Sequence, residues 1–327
     1  MSVWKGKRVL VTGGAGFLGS HLVRRLVREH ALVTVVDRAR HPAGFDHLAD
    51  VSGMFEWCPA DMEDRQALRA LLHRLQPEHL FHLAGRVDLA RTADMTDPCI
   101  HENISATANL LWGLEGIAFT SCVFASTTEV YGHNPAPFHE EQPVDPPSPY
   151  AISKVAAEHF CRFFIRAYRY PMVILRMSAV YGPHQSIERL IPAAILAMLG
   201  GRRLAMTSGE QQRDFIYVDD AVEGLMRAAS IPAARGETIN LGHERAISLR
   251  ELIDTIRGVM KTSWQPSYGE VARRIDEPAV LSCSHRKATQ ILGWKPATEL
   301  EDGLRATIEA YRATVKPRTG RVPLVPV

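Results

Sequence analysis

Short β-branched and apolar runs alternate along this chain with longer segments whose apolar residues recur every three or four positions. The first run, Arg8 to Val11, ends in the turn Thr12-Gly-Gly-Ala-Gly16. Leu18, Leu22, Leu26 and Val27 then mark one side of a helix predicted over Ser20 to Arg28. Further strands are predicted at Ala31 to Asp37, Phe55 to Asp61, Glu78 to Gly85, Ser121 to Ser126 and Met172 to Val180. Helices are predicted between them at Arg65 to Leu75, Asn103 to Leu114 and Tyr150 to Tyr168. This alternation predicts an α/β fold built on a doubly wound parallel sheet. After Tyr181-Gly-Pro183 it weakens. An inserted helix and loop over 184–211, a helix from Ala221 to Ala229 and a last sheet strand at Thr238 to Gly242 are expected there.

The first turn carries three glycines, Gly13, Gly16 and Gly19, between a strand and a helix. In that context the spacing points to a dinucleotide. Gly13 allows the tight turn, Gly16 the approach of a pyrophosphate and Gly19 close packing of helix on strand. The next strand ends in Asp37, 18 positions beyond Gly19, where a carboxylate accepts from the adenosine ribose hydroxyls and repels a 2′-phosphate. NAD is therefore the expected cofactor. The expected organisation is an NAD-binding Rossmann domain over 1–183 and 212–246, a smaller C-terminal α/β substrate-binding lobe over 184–211 and 247–313, and a tail over 314–327.

Charged residues make up 23% of the 327, with a net charge of +2 and no run of basic residues, so neither nucleic acid nor an acidic membrane is an expected partner. Five cysteines without a C-x-x-C suit free thiols in a reducing compartment. The longest apolar run, Leu190 to Leu199, holds Pro192 and is too short to span a bilayer. No N-terminal signal is read, and a cytoplasmic protein is expected. Fourteen histidines show no paired ligand spacing, so no metal site is expected.

Tyr150 and Lys154 stand four apart at a predicted helix start, on one face. A phenol with a pKa near 10 is a poor base, and lowering it by about 3 units needs roughly 4 kcal/mol. An ammonium at about 4 Å and an effective dielectric of about 20 supplies that much. The pair can thus take a proton from an alcohol while hydride leaves, next to the strand-end hydroxyls Ser126 and Thr127.

These pieces resemble the extended short-chain dehydrogenase/reductases of the NAD-dependent nucleotide-sugar epimerase/dehydratase type. The matches run nearly end to end: TGGAGFLG over 12–19, Asp61-Met62, HLAG over 82–85, STTEVYG over 126–132, SPYAISK over 148–154, LRMSAVYGP over 175–183, RDFIYVDD over 213–220 and LGWKP over 292–296. The resemblance implies that Gly13, Gly16, Phe17, Leu18, Gly19, Asp37, Asp61, Met62, Leu83, Ala84, Gly85, Tyr150 and Lys154 bind the cofactor. Tyr150 would be the base, Lys154 its tuning partner, and Thr127 a hydrogen-bond partner of the sugar 4-hydroxyl. Arg213 would meet a nucleoside diphosphate (UDP, GDP, dTDP or CDP). Thr92, Ser126 and Arg273 would join it on the substrate side, Arg273 in an Arg273-Arg-Ile-Asp276 that departs from the usual Arg-Pro-Gly-Asp. Ala179 replaces an asparagine common among relatives.

The shared first step is oxidation at sugar C4. Glu129, two after Thr127, resembles the C5 base of 4,6-dehydratases, whose middle Asp is here Thr128. The first expectation is accordingly a nucleotide-sugar 4,6-dehydratase, with Glu129 and Thr128 beside Thr127, Tyr150 and Lys154. The alternative is a nucleotide-sugar 4-epimerase, then a decarboxylase or a 4-keto reductase. A non-catalytic NAD-sensing protein on the same fold is a separate class, against which the intact Thr127, Tyr150 and Lys154 argue. The resemblance also implies a homodimer through helices near 103–114 and 150–168.

Overall fold

The computed structural model describes residues 2–38 and 46–314, so of the expected tail only Thr314 falls among the described residues. The first half runs β1 (Arg8–Thr12), α1 (Phe17–Arg28), β2 (Leu32–Asp37), β3 (Glu56–Pro59), α2 (Arg65–Leu75), β4 (His79–His82), α3 (Thr96–Cys99), α4 (Ala106–Gly113), β5 (Ser121–Thr127), α5 (Pro149–Tyr168) and β6 (Met172–Met177). The second half runs β7 (Ala179–Tyr181), α6 (Leu190–Gly200), β8 (Gln212–Tyr217), α7 (Val218–Ser230), β9 (Thr238–Leu241), β10 (Ala246–Ser248), α8 (Leu249–Met260), β11 (Val280–Leu281), α9 (Arg286–Leu292) and α10 (Leu300–Thr314).

Seven strands form a parallel sheet in the order β3-β2-β1-β4-β5-β6-β9. The doubly wound expectation is met, and the order reverses between β1 and β4. Alternate side chains of one strand serve opposite layers. Val123 and Ala125 of β5 pack with α1 and α7, whereas Cys122 and Phe124 pack with α2, α4 and α5. Burial on both faces explains why these strands read as continuous apolar runs rather than alternating ones. A third core, around Ile195, Leu252, Ile253 and Leu304, sits in the smaller lobe between α6, α8 and α10.

Two expected boundaries move. The strand expected over Met172 to Val180 is two strands, because the chain leaves the main sheet at Ser178, whose hydroxyl donates to buried Asp214. Beyond it β7 pairs with β8, which belongs to a second sheet with β10 and β11. The expected domain boundary at 212 therefore cuts through this segment: β8 lies in the small sheet, while α7 and β9 pack with the large one. The helix expected from Asn103 begins as a wider π-type turn over Ile100–Ser105.

Behind β5 and β6 lies a buried ionic cluster. Glu158 of α5 accepts from both Arg176 (2.9 and 2.6 Å), from Arg162 (2.8 Å) and from the Ser126 hydroxyl (2.6 Å). Burial works to raise its carboxyl, and the Arg176 fork holds it below the usual value. Removing one partner leaves a charge stranded in apolar surroundings. Glu158→Ala is expected to cost about 3–5 kcal/mol by urea unfolding, and the double variant Glu158→Leu/Arg176→Met to recover most of that.

Candidate active site

The reversal of strand order at β1 and β4 opens a crevice at their carboxyl ends, and the glycine turn fills its floor. Gly13 sits at φ +70°, and a Cβ there would lie 2.6 Å from the Ala84 backbone nitrogen. A Cβ on Gly19 would run into the Gly13 carbonyl. Gly16 caps α1 without a side chain, so the first N–H groups of Phe17, Leu18 and Gly19 have no side-chain acceptor at the cap. The cradle suits a pyrophosphate and nothing bulkier in the protein itself. Asp37, ending β2, accepts from Ala15 N (3.1 Å) and Arg38 N (2.9 Å), which ties the turn to the ribose side. Arg38 turns away to Glu102 (2.9 Å). Asp61 and Met62 follow β3, and Leu83, Ala84 and Gly85 follow β4. Leu83 N and Ala84 N donate to Thr12, at 3.1 and 3.3 Å. His82 braces this floor between Thr12 (2.7 Å) and Thr107 (3.0 Å), and burial draws its pKa down to about 3.

Facing the cradle, α5 starts at Ser148, which caps Ala151 N (3.1 Å), with Pro149 pre-set for the first turn. That start brings Tyr150 and Lys154 onto the side of β5. Lys154 Nζ donates to Ala125 O (2.9 Å) and lies 3.6 Å from where a Cβ on Gly85 would stand. Burial draws its pKa down to about 8. Tyr150 lies beside Thr127, and burial, followed by the charge of Glu129, pushes its phenol above the ordinary value. The expected lowering of this phenol by Lys154 is not met in the protein alone: desolvation dominates, and the cation that draws it down is Arg189.

Other expected site residues have different partners from those the sequence suggested. The Ser126 hydroxyl points into the protein and donates to Glu158, so its expected place against substrate is corrected: buried at 4% exposure, it serves the ionic cluster. Thr128 and Glu129 are also buried. Glu129 Oε1 accepts from Arg91 Nη2 and from Ser148 Oγ, both at 2.9 Å. Arg91 further donates to Pro147 O (2.9 Å) and to Asp276 O, while Thr92 beside it is exposed. Glu129 therefore clasps three pieces together: the segment after β4, the end of β5 and the cap of α5.

Arg213 extends from β8 with Nη2 on Glu277 (2.6 Å) and Nη1 on the carbonyls of Gln212 (2.7 Å) and Pro278 (3.2 Å). Arg273 and Arg274 approach the same carboxylate at 3.9 and 3.6 Å. Glu277 and the Arg91–Glu129 pair were missed from sequence. The signal for Glu277 was an acid directly after Arg273-Arg-Ile-Asp276; the pairing of Glu129 has no local signal, since its partners lie 38 and 19 residues away.

The model of the NAD dependent epimerase/dehydratase family matches residues 9–242. The chain is 34% identical over 318 residues to the UDP-glucose 4-epimerase of Mycolicibacterium smegmatis, covering 93% of this chain and 98% of that one. It is 33% identical over 325 residues to a probable dTDP-glucose 4,6-dehydratase of Sinorhizobium fredii, covering 93% and 92%. Its fold matches a UDP-glucuronic acid 4-epimerase of Bacillus cereus, solved with UDP-glucuronic acid and NAD, at a TM-score of 0.86. Identity to that protein is 28%, over 94% of this chain and 99% of that one.

The buried ammonium makes a testable mark on stability. Lys154 has a pKa of about 8 in the folded chain against 10.5 in an open one. Between these values the unfolded chain holds a proton that the folded chain has lost, so stability rises with pH across the window. Without nucleotides, the unfolding free energy of wild type minus that of Lys154→Met should grow by about 3 kcal/mol from pH 8 to 10.5, read from urea melts.

Proposed function

Because the chain belongs to the NAD-dependent epimerase/dehydratase family, we propose that it is a nucleotide-sugar 4-epimerase, turning over its substrate through a 4-keto intermediate. Bound NAD would supply the hydride acceptor and donor for the sugar. The chain's own residues do the rest. The glycine cradle and Asp37 hold the dinucleotide, and Thr127 and Tyr150 hold the 4-hydroxyl. Tyr150 accepts its proton and later returns it, with Lys154 one helical turn behind on the same helix. Arg213 and Arg273 take the diphosphate from the smaller lobe.

The observation that carries the epimerase reading is the state of Glu129. Loss of water across C5 and C6 needs a base free to take the C5 proton and an acid to protonate the leaving hydroxyl. Glu129 already accepts from Arg91 and Ser148 through one oxygen, and its neighbour Thr128 offers an alcohol, a far weaker acid than a carboxylic group. Epimerisation needs neither function. This favours the alternative over the first expectation of a dehydratase, and two of the three relatives above are 4-epimerases of UDP-sugars. The 4,6-dehydratase remains the second reading, supported by the nearness of Glu129 to Tyr150. An apolar stripe on α5, with Ile152, Phe160 and Phe163 exposed, supports the expected homodimer through α4 and α5.

Incubating the enzyme with NAD and a panel of UDP-, dTDP-, GDP- and CDP-sugars, followed by mass spectrometry, tests the reading. An unchanged mass with a new chromatographic peak is expected; a product lighter by one water would establish the dehydratase instead. Tyr150→Phe should lose about 10²–10⁴-fold in kcat, whereas Glu129→Gln should stay within about tenfold of wild type.

A further inference from the structure

Three guanidiniums, those of Arg213, Arg273 and Arg274, converge on the single carboxylate of Glu277. Its side chain is only 4% exposed, and Oε2 is buried without a hydrogen bond. Three positive charges and one negative leave the cluster with two positive units in excess. The chain just before Glu277 is anchored twice: the Asp276 carbonyl takes a bond from Arg91, and the Asp276 side chain meets His133 at 2.8 Å. Glu129 acts electrostatically on Arg213, which puts the cluster alongside the Tyr150 site.

A fixed negative charge inside an anion site weakens each ligand in proportion to that ligand's own charge. The diphosphate diester of a nucleotide sugar carries about two negative charges; a terminal phosphate, with its second pKa near 6, brings a free nucleoside diphosphate to about three and a triphosphate to about four. We propose that Glu277 is a specificity-determining residue, one that matches the arginine cluster to the diphosphate diester of a nucleotide sugar and disfavours free nucleoside di- and triphosphates. The proposal rests on the nucleotide-sugar reading of the site. Only Glu277 can have this effect within the cluster, since the other three members are cations.

The test is calorimetric titration of NAD-loaded enzyme with UDP-glucose, UDP and UTP in magnesium-free buffer, for wild type, Glu277→Gln and Arg274→Ala. Gln keeps the size and the acceptor oxygen facing Arg213 but removes the charge. Glu277→Gln is expected to tighten all three ligands in the order UDP-glucose, UDP, UTP, with about three- to tenfold more gain per added charge. Arg274→Ala should weaken them in the same order, and this arm decides the matter if Glu277→Gln does not fold. A single common factor for all three ligands, or uniform weakening by Glu277→Gln, would reduce Glu277 to a prop for Arg213 and overturn the proposal. Wild type that binds none of the three, nor the dTDP-, GDP- and CDP-sugars of the panel, would sink the nucleotide-sugar reading along with it, which separates the two failures.

Discussion

The cofactor cradle and the catalytic residues depend on the reversal of strand order between β1 and β4. With all seven strands parallel, their carboxyl ends share one rim, and connections leave in opposite directions on either side of that point. Thr12, Asp37, Ala84 and Thr127 each close a strand or follow it by two residues, so distance in sequence becomes adjacency at the crevice. The seam itself is polar and fully satisfied: Thr12, His82 and Thr107 bond in a chain across β1, β4 and α4. Held neutral by burial, His82 braces the floor without placing a charge beside the cofactor cradle.

Charges are nevertheless buried nearby, and they are disposed in pairs. Glu158 lies between Arg176 and Arg162, Glu129 against Arg91, and Glu277 against Arg213. Lys154 is held differently, since its hydrogen bond goes to the uncharged carbonyl of Ala125. Desolvation then acts on it in full, which explains its depressed pKa and leaves the ammonium held by geometry rather than by a counter-ion. Tyr150 meets the same desolvation with the opposite sign, because for a phenol the charged form is the deprotonated one. The protein alone therefore keeps Tyr150 a neutral phenol, while Lys154, with a pKa of about 8, still carries its proton at neutral pH. A cation arriving beside Tyr150 in this dry pocket would act at low effective dielectric, where its influence on the phenol is largest.

Sequence made the large sheet legible because its strands are buried on both faces and bounded by glycine, proline and acid, all of which carry local signals. The cradle was legible for the same reason: Gly13 and Gly19 occupy positions where any Cβ collides with Ala84 or Gly13 backbone. Side-chain direction was not legible. Ser126 and Thr127 are neighbours on one strand and so face opposite ways, one towards Glu158 and the other towards Tyr150. The move of β7 and β8 into a second sheet was hidden too, since it turns on Ser178 meeting Asp214, 36 residues on. Such long-range polar contacts leave no periodicity to read.

Glu129 shows how a motif can name a residue whose surroundings bear on the work it can do. A carboxylate two positions past Thr127 suggests a base, and in isolation it would be one. Its surroundings weigh against that role. Arg91 and Ser148 converge on the same oxygen, and Arg91 is itself anchored to Pro147 and Asp276. To serve as a base, Glu129 would have to accept a proton and thereby weaken a bond to a guanidinium only 7% exposed. Breaking a buried pair in this way is costly, on the order of a few kcal/mol, and the cost falls on the segment that positions Tyr150 through Ser148. A carboxylate that holds the base in place is poorly suited to act as a second base. On the proposed epimerase reading, Glu129 is explained by the architecture of the α5 cap, with no elimination step required.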